Sequence, residues 1–106
     1  MSVECVPKKL WVDDVRVPPE PASEWLWMKN YLDAANALEA YDFDIVSLDH
    51  DLGDDSLNGY HLACLIELRA SRGERVPDDI RVHSANPVGR KNIELCIEAI
   101  QRFKNS

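Results

Sequence analysis

Ile45-Val46-Ser47-Leu48-Asp49-His50-Asp51-Leu52-Gly53 is the stretch on which the reading of this chain turns. It opens as an apolar, β-branched run and stops abruptly in acid, imidazole, acid and glycine. A short apolar run that ends at turn residues predicts a buried strand. Open α/β sheets bind their ligands just past the carboxyl ends of the strands, which is where these polar residues fall. Asp49 and Asp51 are two positions apart, so extended backbone sets both carboxylates on one face. Two like charges that close are unfavourable unless one is protonated or a cation lies between them. That cost is the first pointer to chemistry.

On either side of this strand the sequence alternates between strand and helix signals. Residues 8–12 (Lys-Lys-Leu-Trp-Val) predict a short strand closed by Asp13-Asp14. Pro18, Pro19 and Pro21 follow and preclude a regular helix, so an extended loop is expected. Residues 24–29, with Trp25, Leu26, Trp27 and Met28, predict a second strand, at an edge. Asn30 is placed to cap a helix over Tyr31–Ala40, whose composition favours helix. Beyond the opening strand, a polar loop over residues 53–58 leads into a helix over 59–72, with Leu62, Leu65 and Ile66 facing inward and Gly73 as its terminator. Residues 80–84 predict a fourth strand. The last helix carries the stripe Ile93, Cys96, Ile97, Ile100 and Phe103, and residues 104–106 are expected to fray. Strands alternating with helices imply an α/β fold with a parallel sheet and right-handed crossovers.

Composition bounds the function. The 106 residues, 45% apolar, make one domain (1–106) with a single core. A net charge of −7 repels polyanions, so duplex DNA is not an expected partner. A small phosphorylated ligand arriving with a cation is compatible with it. No apolar run approaches the ~20 residues of a membrane span, and the N-terminus lacks a secretory pattern. A cytoplasmic location and no membrane contact are expected. Cys5, Cys64 and Cys96 are odd in number and match no zinc spacing; Cys64 and Cys96 fall among apolar residues of expected helices, which points to buried thiols for those two.

Three strand ends carry chemistry: Asp13-Asp14, Asp49-His50-Asp51 and His83-Ser84. In a doubly wound sheet they meet at one crevice. Asp13, Asp14, Asp49 and Asp51 make a hard oxygen site for a divalent cation, Mg²⁺ first among them. Each aspartate taken alone reads as a turn cap. His50 and His83 are placed to divide acid and base work, against the plainer reading of an imidazole satisfied by a carboxylate. His61 lies on a helix and reads as structural. Asn86-Pro87 predicts a helix start. The free N–H groups of Val88 and Gly89 would then face a phosphate, with Gly89 admitting it closely, Ser84 beside it, and Arg90 as a forked cation.

At these residues the chain resembles the receiver domains of response regulators: an acidic pair after the first strand (Asp13-Asp14), a phosphate-accepting aspartate after the third (Asp49 or Asp51), and Ser84 after the fourth. The proline loop stands where that family has its first helix. No fifth strand follows to carry the family's lysine, which makes phosphotransfer from a kinase the least favoured reading. The chain is more closely similar to the divergent cyclic-phosphate-processing receiver domains. The matching motifs are Trp11-Val12-Asp13-Asp14-Val15-Arg16-Val17-Pro18, the stretch from Ser47 to Gly53, and the stretch from His83 to Asn92. The resemblance implies a reduced three-layer, flavodoxin-like domain. Its four-stranded, mostly parallel sheet would run in the order 2-1-3-4, with about three helices. It adds Arg16 to the phosphate-binding set of Ser84, Asn86, Gly89 and Arg90. It also implies hydrolysis of a cyclic phosphate on a nucleotide or RNA end.

Two functional classes follow. The first is a metal-assisted phosphoesterase acting on a cyclic or terminal phosphate of a nucleotide or RNA end. The second is a non-catalytic module that binds a nucleotide or a protein partner, which an exposed Trp25 or Trp27 beside the proline loop would support.

Overall fold

Each apolar run becomes a parallel strand, and each capped amphipathic stretch becomes a helix. A computed structural model describes residues 7–52 and 57–105. Strands β1 (Lys9–Val12), β2 (Trp25–Met28), β3 (Ile45–Leu48) and β4 (Asp79–Val82) form one parallel sheet in the order β2-β1-β3-β4. Helices α1 (Tyr31–Ala40), α2 (Gly59–Ser71) and α3 (Pro87–Lys104) connect or follow them. The order and the helix number are those of a receiver-like α/β fold. β4 starts and stops earlier than the sequence suggests, so His83 and Ser84 lie just past it. Part of the loop over 53–58 lies outside the described residues, as does Cys5.

Leu10, Val12, Val46 and Leu48 are fully buried. Alternation along a strand puts them on one face of the sheet. They form one core with Ala34 and Leu38 of α1, Leu62 and Ile66 of α2, and Ile93 and Ile100 of α3. All three helices therefore pack on that face. The opposite face carries Trp11, Trp25, Trp27 and Ser47, and the proline loop covers it. The Trp11 indole N–H donates to the Arg16 carbonyl at 2.8 Å, and that of Trp27 donates to the Asp13 carbonyl at 2.7 Å. Pro18 is buried beneath the loop. The outer layer on this side is thus a loop, because three prolines fix φ and remove N–H donors where a helix would need them. Trp25 is buried edge-on against Trp11 and Trp27 is half-buried, so these rings seal the sheet rather than forming an exposed aromatic patch.

The helix starts follow from asparagine chemistry. The Asn30 side chain accepts from Asp33 N–H, Asn58 from Tyr60 and His61 N–H, and Asn86 from Val88 and Gly89 N–H. His61 completes a capping box by accepting the Asn58 N–H at 3.0 Å, which confirms its structural role. Gly73, after α2, has φ +76°, the left-handed conformation that closes a helix. The end of α3 does not fray at Lys104, whose ammonium donates to the Pro77 carbonyl at 3.2 Å. Phe103 is largely exposed and falls outside the buried part of the α3 stripe. Cys64 and Cys96 are free thiols, Cys96 buried as expected and Cys64 only half-buried because it lies toward the edge of the α2 core face, and burial pushes the Cys96 thiol up to about 12. No helix among the described residues is long and apolar enough to cross a membrane.

Candidate functional site

Three strands finish in step, and that coincidence builds the site. Val12, Leu48 and Val82 are register partners across β1, β3 and β4. One residue further the ladder continues by single bonds: Asp13 N–H to Met28 O, Asp49 N–H to Val12 O and His83 N–H to Leu48 O, at 2.9 to 3.1 Å. Asp13, Asp49 and His83 therefore form the next row across the sheet. Alternation turns their side chains to the face that bears Trp11 and Ser47. One ligand atom from each of the three lies within 4.8 Å of the other two.

Asp13 is 1% exposed and almost saturated. Its Oδ1 accepts from Val15 and Arg16 N–H, both at 2.8 Å, which bends the chain into the proline loop. Its Oδ2 meets His83 Nε2 at 3.0 Å. The other ring nitrogen, Nδ1, meets Ser47 Oγ at 2.7 Å. The imidazole also stacks on the Trp11 indole, centroids 3.8 Å apart and planes within 4°. β1 and β4 are two strand spacings apart, about 10 Å. The rings meet only because β3 places a small residue, buried Ser47, between them.

Burial raises the Asp49 carboxyl above its ordinary value, and the Asp13 charge raises it further. Hydrogen bonding from Ser84, the nearby His83 and the Asp51 N–H work in the opposite sense. His83 is lowered, mainly by burial, against its hydrogen bond to Asp13 and the charges of Asp13 and Asp49. A raised acid beside a depressed base means that the pocket disfavours net charge when it holds only protein groups.

An open cleft of about 360 Å³ lies above this row, lined by Asp13, Asp14, Val15, Arg16, Asp49, Asp51 and Ala85. That size is within the range of small-ligand sites. Asp14 and Asp51 line the cleft but stand outside the tight trio, where His83 takes the place that the sequence suggested for them. Arg16 Nη1 donates to the His83 carbonyl at 3.2 Å, which brings a cation to the rim. Ser84 is buried; its hydroxyl accepts the Asn86 N–H at 3.1 Å and bonds Asp49.

The phosphate cradle expected at the start of α3 has a different use. Both N–H groups expected to be free, those of Val88 and Gly89, donate to the Asn86 side chain at 3.1 Å. Gly89 makes room for the His50 imidazole, which a Cβ at that position would overlap. Arg90 is exposed and paired with Glu94 at 3.3 Å, one helical turn away. His50 Nδ1 pairs with Asp51 at 2.9 Å, the carboxylate-satisfied arrangement. Gly59 opens α2 against the Asp49 carbonyl, again with no space for a Cβ. Ser47 and Trp11 were not singled out as site residues from sequence. The available signal for Ser47 is that it is the only polar residue inside the apolar run.

The trio fits a divalent cation. Bonds of about 2.1 Å put octahedral ligands roughly 3.0 Å apart when adjacent and 4.2 Å when opposite, so the observed spread needs only a small closure. Carboxylates suit Mg²⁺ or Mn²⁺, and an imidazole ligand favours the latter.

A four-stranded parallel sheet in this order, with acidic residues beyond β1 and β3 and a serine beyond β4, defines a receiver-like domain. The family model of the cyclic-phosphate processing receiver domain matches residues 8–99, and the chain belongs to that family. No curated protein and no solved structure matches the chain at significance.

Proposed function

We propose that this domain is a metal-assisted phosphoesterase that opens a cyclic phosphate, or removes a terminal one, on a nucleotide or RNA end. The observation that carries the reading is the grouping of Asp13, Asp49 and His83, of which the two aspartates line a cleft that Arg16 also lines. A divalent cation held there would neutralise phosphate charge and acidify a bound water. Membership of a cyclic-phosphate processing family supports the substrate class.

The chain's own residues then divide the work. Asp13 and Asp49 hold the cation and His83 completes the set. Ser84 fixes the Asp49 carboxylate. Arg16 meets the phosphate oxygens, since a guanidinium matches them in a forked geometry. In hydrolysis, water forms a new P–O bond, a ribose oxygen leaves, and that oxygen takes up a proton. With both His83 nitrogens engaged, His50 is the better-placed proton carrier, since its partner Asp51 lines the cleft.

A crystal soaked with Mn²⁺ and inorganic phosphate tests this arrangement. The expected result is a metal bound by Asp13 and Asp49 with phosphate against Arg16. A metal bound elsewhere, or phosphate seated at Arg90, would overturn it.

A further inference from the structure

Resting on that reading, we infer that Ser47 is a positioning residue that converts His83 from a hydrogen-bond donor into a cation ligand by exchanging its ring tautomer. The ring is held on three sides: by the Trp11 indole across its face, by Ser47 Oγ at Nδ1 (2.7 Å) and by Asp13 Oδ2 at Nε2 (3.0 Å). Trp11 is itself anchored through its N–H to the Arg16 carbonyl. The ring therefore has little freedom to turn away, and a change of partner at Nε2 must come from a change of proton.

With no cation, Nε2 faces a carboxylate. An ionised carboxylate only accepts hydrogen bonds, so Nε2 carries the hydrogen. The neutral ring then has a bare Nδ1, and the Ser47 hydroxyl donates to it. A cation on the Asp13 Oδ2 lone pair would lie against the Nε2 hydrogen, which repels it. Moving the ring's single proton to Nδ1 removes that conflict. Nε2 loses one proton to solvent, Nδ1 gains one, and the ring stays neutral.

Nδ1–H then needs an acceptor, and the serine oxygen supplies it once its hydrogen rotates about the Cβ–Oγ bond. A hydroxyl can take either role without moving its heavy atom, unlike an amide, a carboxylate or an ammonium group. The 3.0 Å separation of Nε2 and Oδ2 already equals the roughly 3.0 Å edge of an octahedron with bonds of about 2.1 Å. That separation is therefore compatible with both tautomers. A hydrogen bond from the distal ring nitrogen to an orienting oxygen is the usual second partner of a metal-bound histidine.

Long-range ¹H–¹⁵N correlation of the imidazoles, in the full chain with and without Zn²⁺ as a diamagnetic probe, tests this directly. The expected result is an Nε2–H tautomer of His83 without the ion and an Nδ1–H tautomer with it. Ser47→Ala should weaken Zn²⁺ and Mn²⁺ binding about 10- to 100-fold, and Ser47→Thr should restore it. If the Asp13 and Asp49 carboxyl signals shift with Zn²⁺ while His83 keeps Nε2–H, the inference fails and the cation reading stands. If neither carboxyl responds to Zn²⁺ or Mn²⁺, both fail. Parent-like affinity in a folded Ser47→Ala protein would also overturn the positioning role.

Discussion

Gly59→Ala is the smallest change that sets the fold against the site. Gly59 is the first residue of α2, and its N–H donates to the His50 carbonyl at 3.1 Å. A Cβ there would overlap the Asp49 carbonyl oxygen and lie 2.8 Å from the Asp49 carbonyl carbon and 3.3 Å from the His50 Cα. All three are backbone atoms, so no side chain can rotate out of the way. Relief requires α2 to back off from the end of β3. Overpacking of this kind costs about 1–3 kcal/mol, and losing the Gly59 hydrogen bond adds about 1 kcal/mol. The gain in helix propensity offsets less than about 1 kcal/mol. A net loss of about 2–3 kcal/mol lowers Tm by roughly 10–20 °C in a domain of this size. The assay is thermal unfolding followed by circular dichroism, with urea titration for the free energy. Gly73→Ala is the control: its Cβ meets open space but its φ is +76°, so it should cost only about 1–2 kcal/mol of conformational strain. Because the clash falls on Asp49 itself, Gly59→Ala should also weaken Mn²⁺ binding more than Gly73→Ala does. A Gly59→Ala protein with parental Tm and parental Mn²⁺ affinity would refute the packing argument.

Three further outcomes are expected. Asp49→Asn removes a half-buried charge held beside Asp13, so Tm should stay level or rise by up to about 5 °C while Mn²⁺ affinity falls at least about tenfold; calorimetry and thermal unfolding check the two halves, and a large loss of Tm would contradict the charge argument. His83 is depressed below its usual value of 6.5, so the unfolded chain takes up more protons just below that pH. Stability should be complete above pH 6.5 and fall as the pH drops through the window beneath it, opposed nearer pH 3.8 by the raised Asp49; urea midpoints from pH 7 to pH 5.5 should lose part of this slope in His83→Gln, and an unchanged slope would assign it elsewhere. Arg16→Ala should weaken phosphate binding in the presence of Mn²⁺ by about tenfold or more, equivalent to one charge-assisted pair, while Arg90→Ala should leave it within about twofold; calorimetry showing the reverse order would return the phosphate to the start of α3.

The features legible in the sequence are those set by local chemistry. The cap at Asn30, the Asn86-Pro87 start, the glycine after α2 and the proline loop each follow from a residue and its immediate neighbours. The convergence of Asp13, Asp49 and His83 was legible because parallel strands finish on one rim. Register was not. Nothing in periodicity says that Val12, Leu48 and Val82 stand in one row, and only that row makes His83 rather than Asp14 or Asp51 the third member of the trio. The donors at Val88 and Gly89 differ from expectation for a related reason. Asn86 caps the helix as its sequence predicts, and a cap consumes the N–H groups that a ligand would otherwise find. Gly89 shows the same limit, because its need to be small comes from His50, a residue distant in sequence.

The proposed function stands or falls on turnover of a cyclic phosphate at the trio. Its most direct test is ³¹P NMR of a 2′,3′-cyclic nucleotide incubated with the protein and Mg²⁺, quenched with chelator at intervals. The expected result is conversion of the cyclic resonance to a monoester resonance, abolished by adding chelator at the start and by Asp13→Asn or Asp49→Asn in folded protein. Persistence of the cyclic resonance for every nucleotide and RNA end supplied, with Mg²⁺ or Mn²⁺ present and the fold intact, would contradict it.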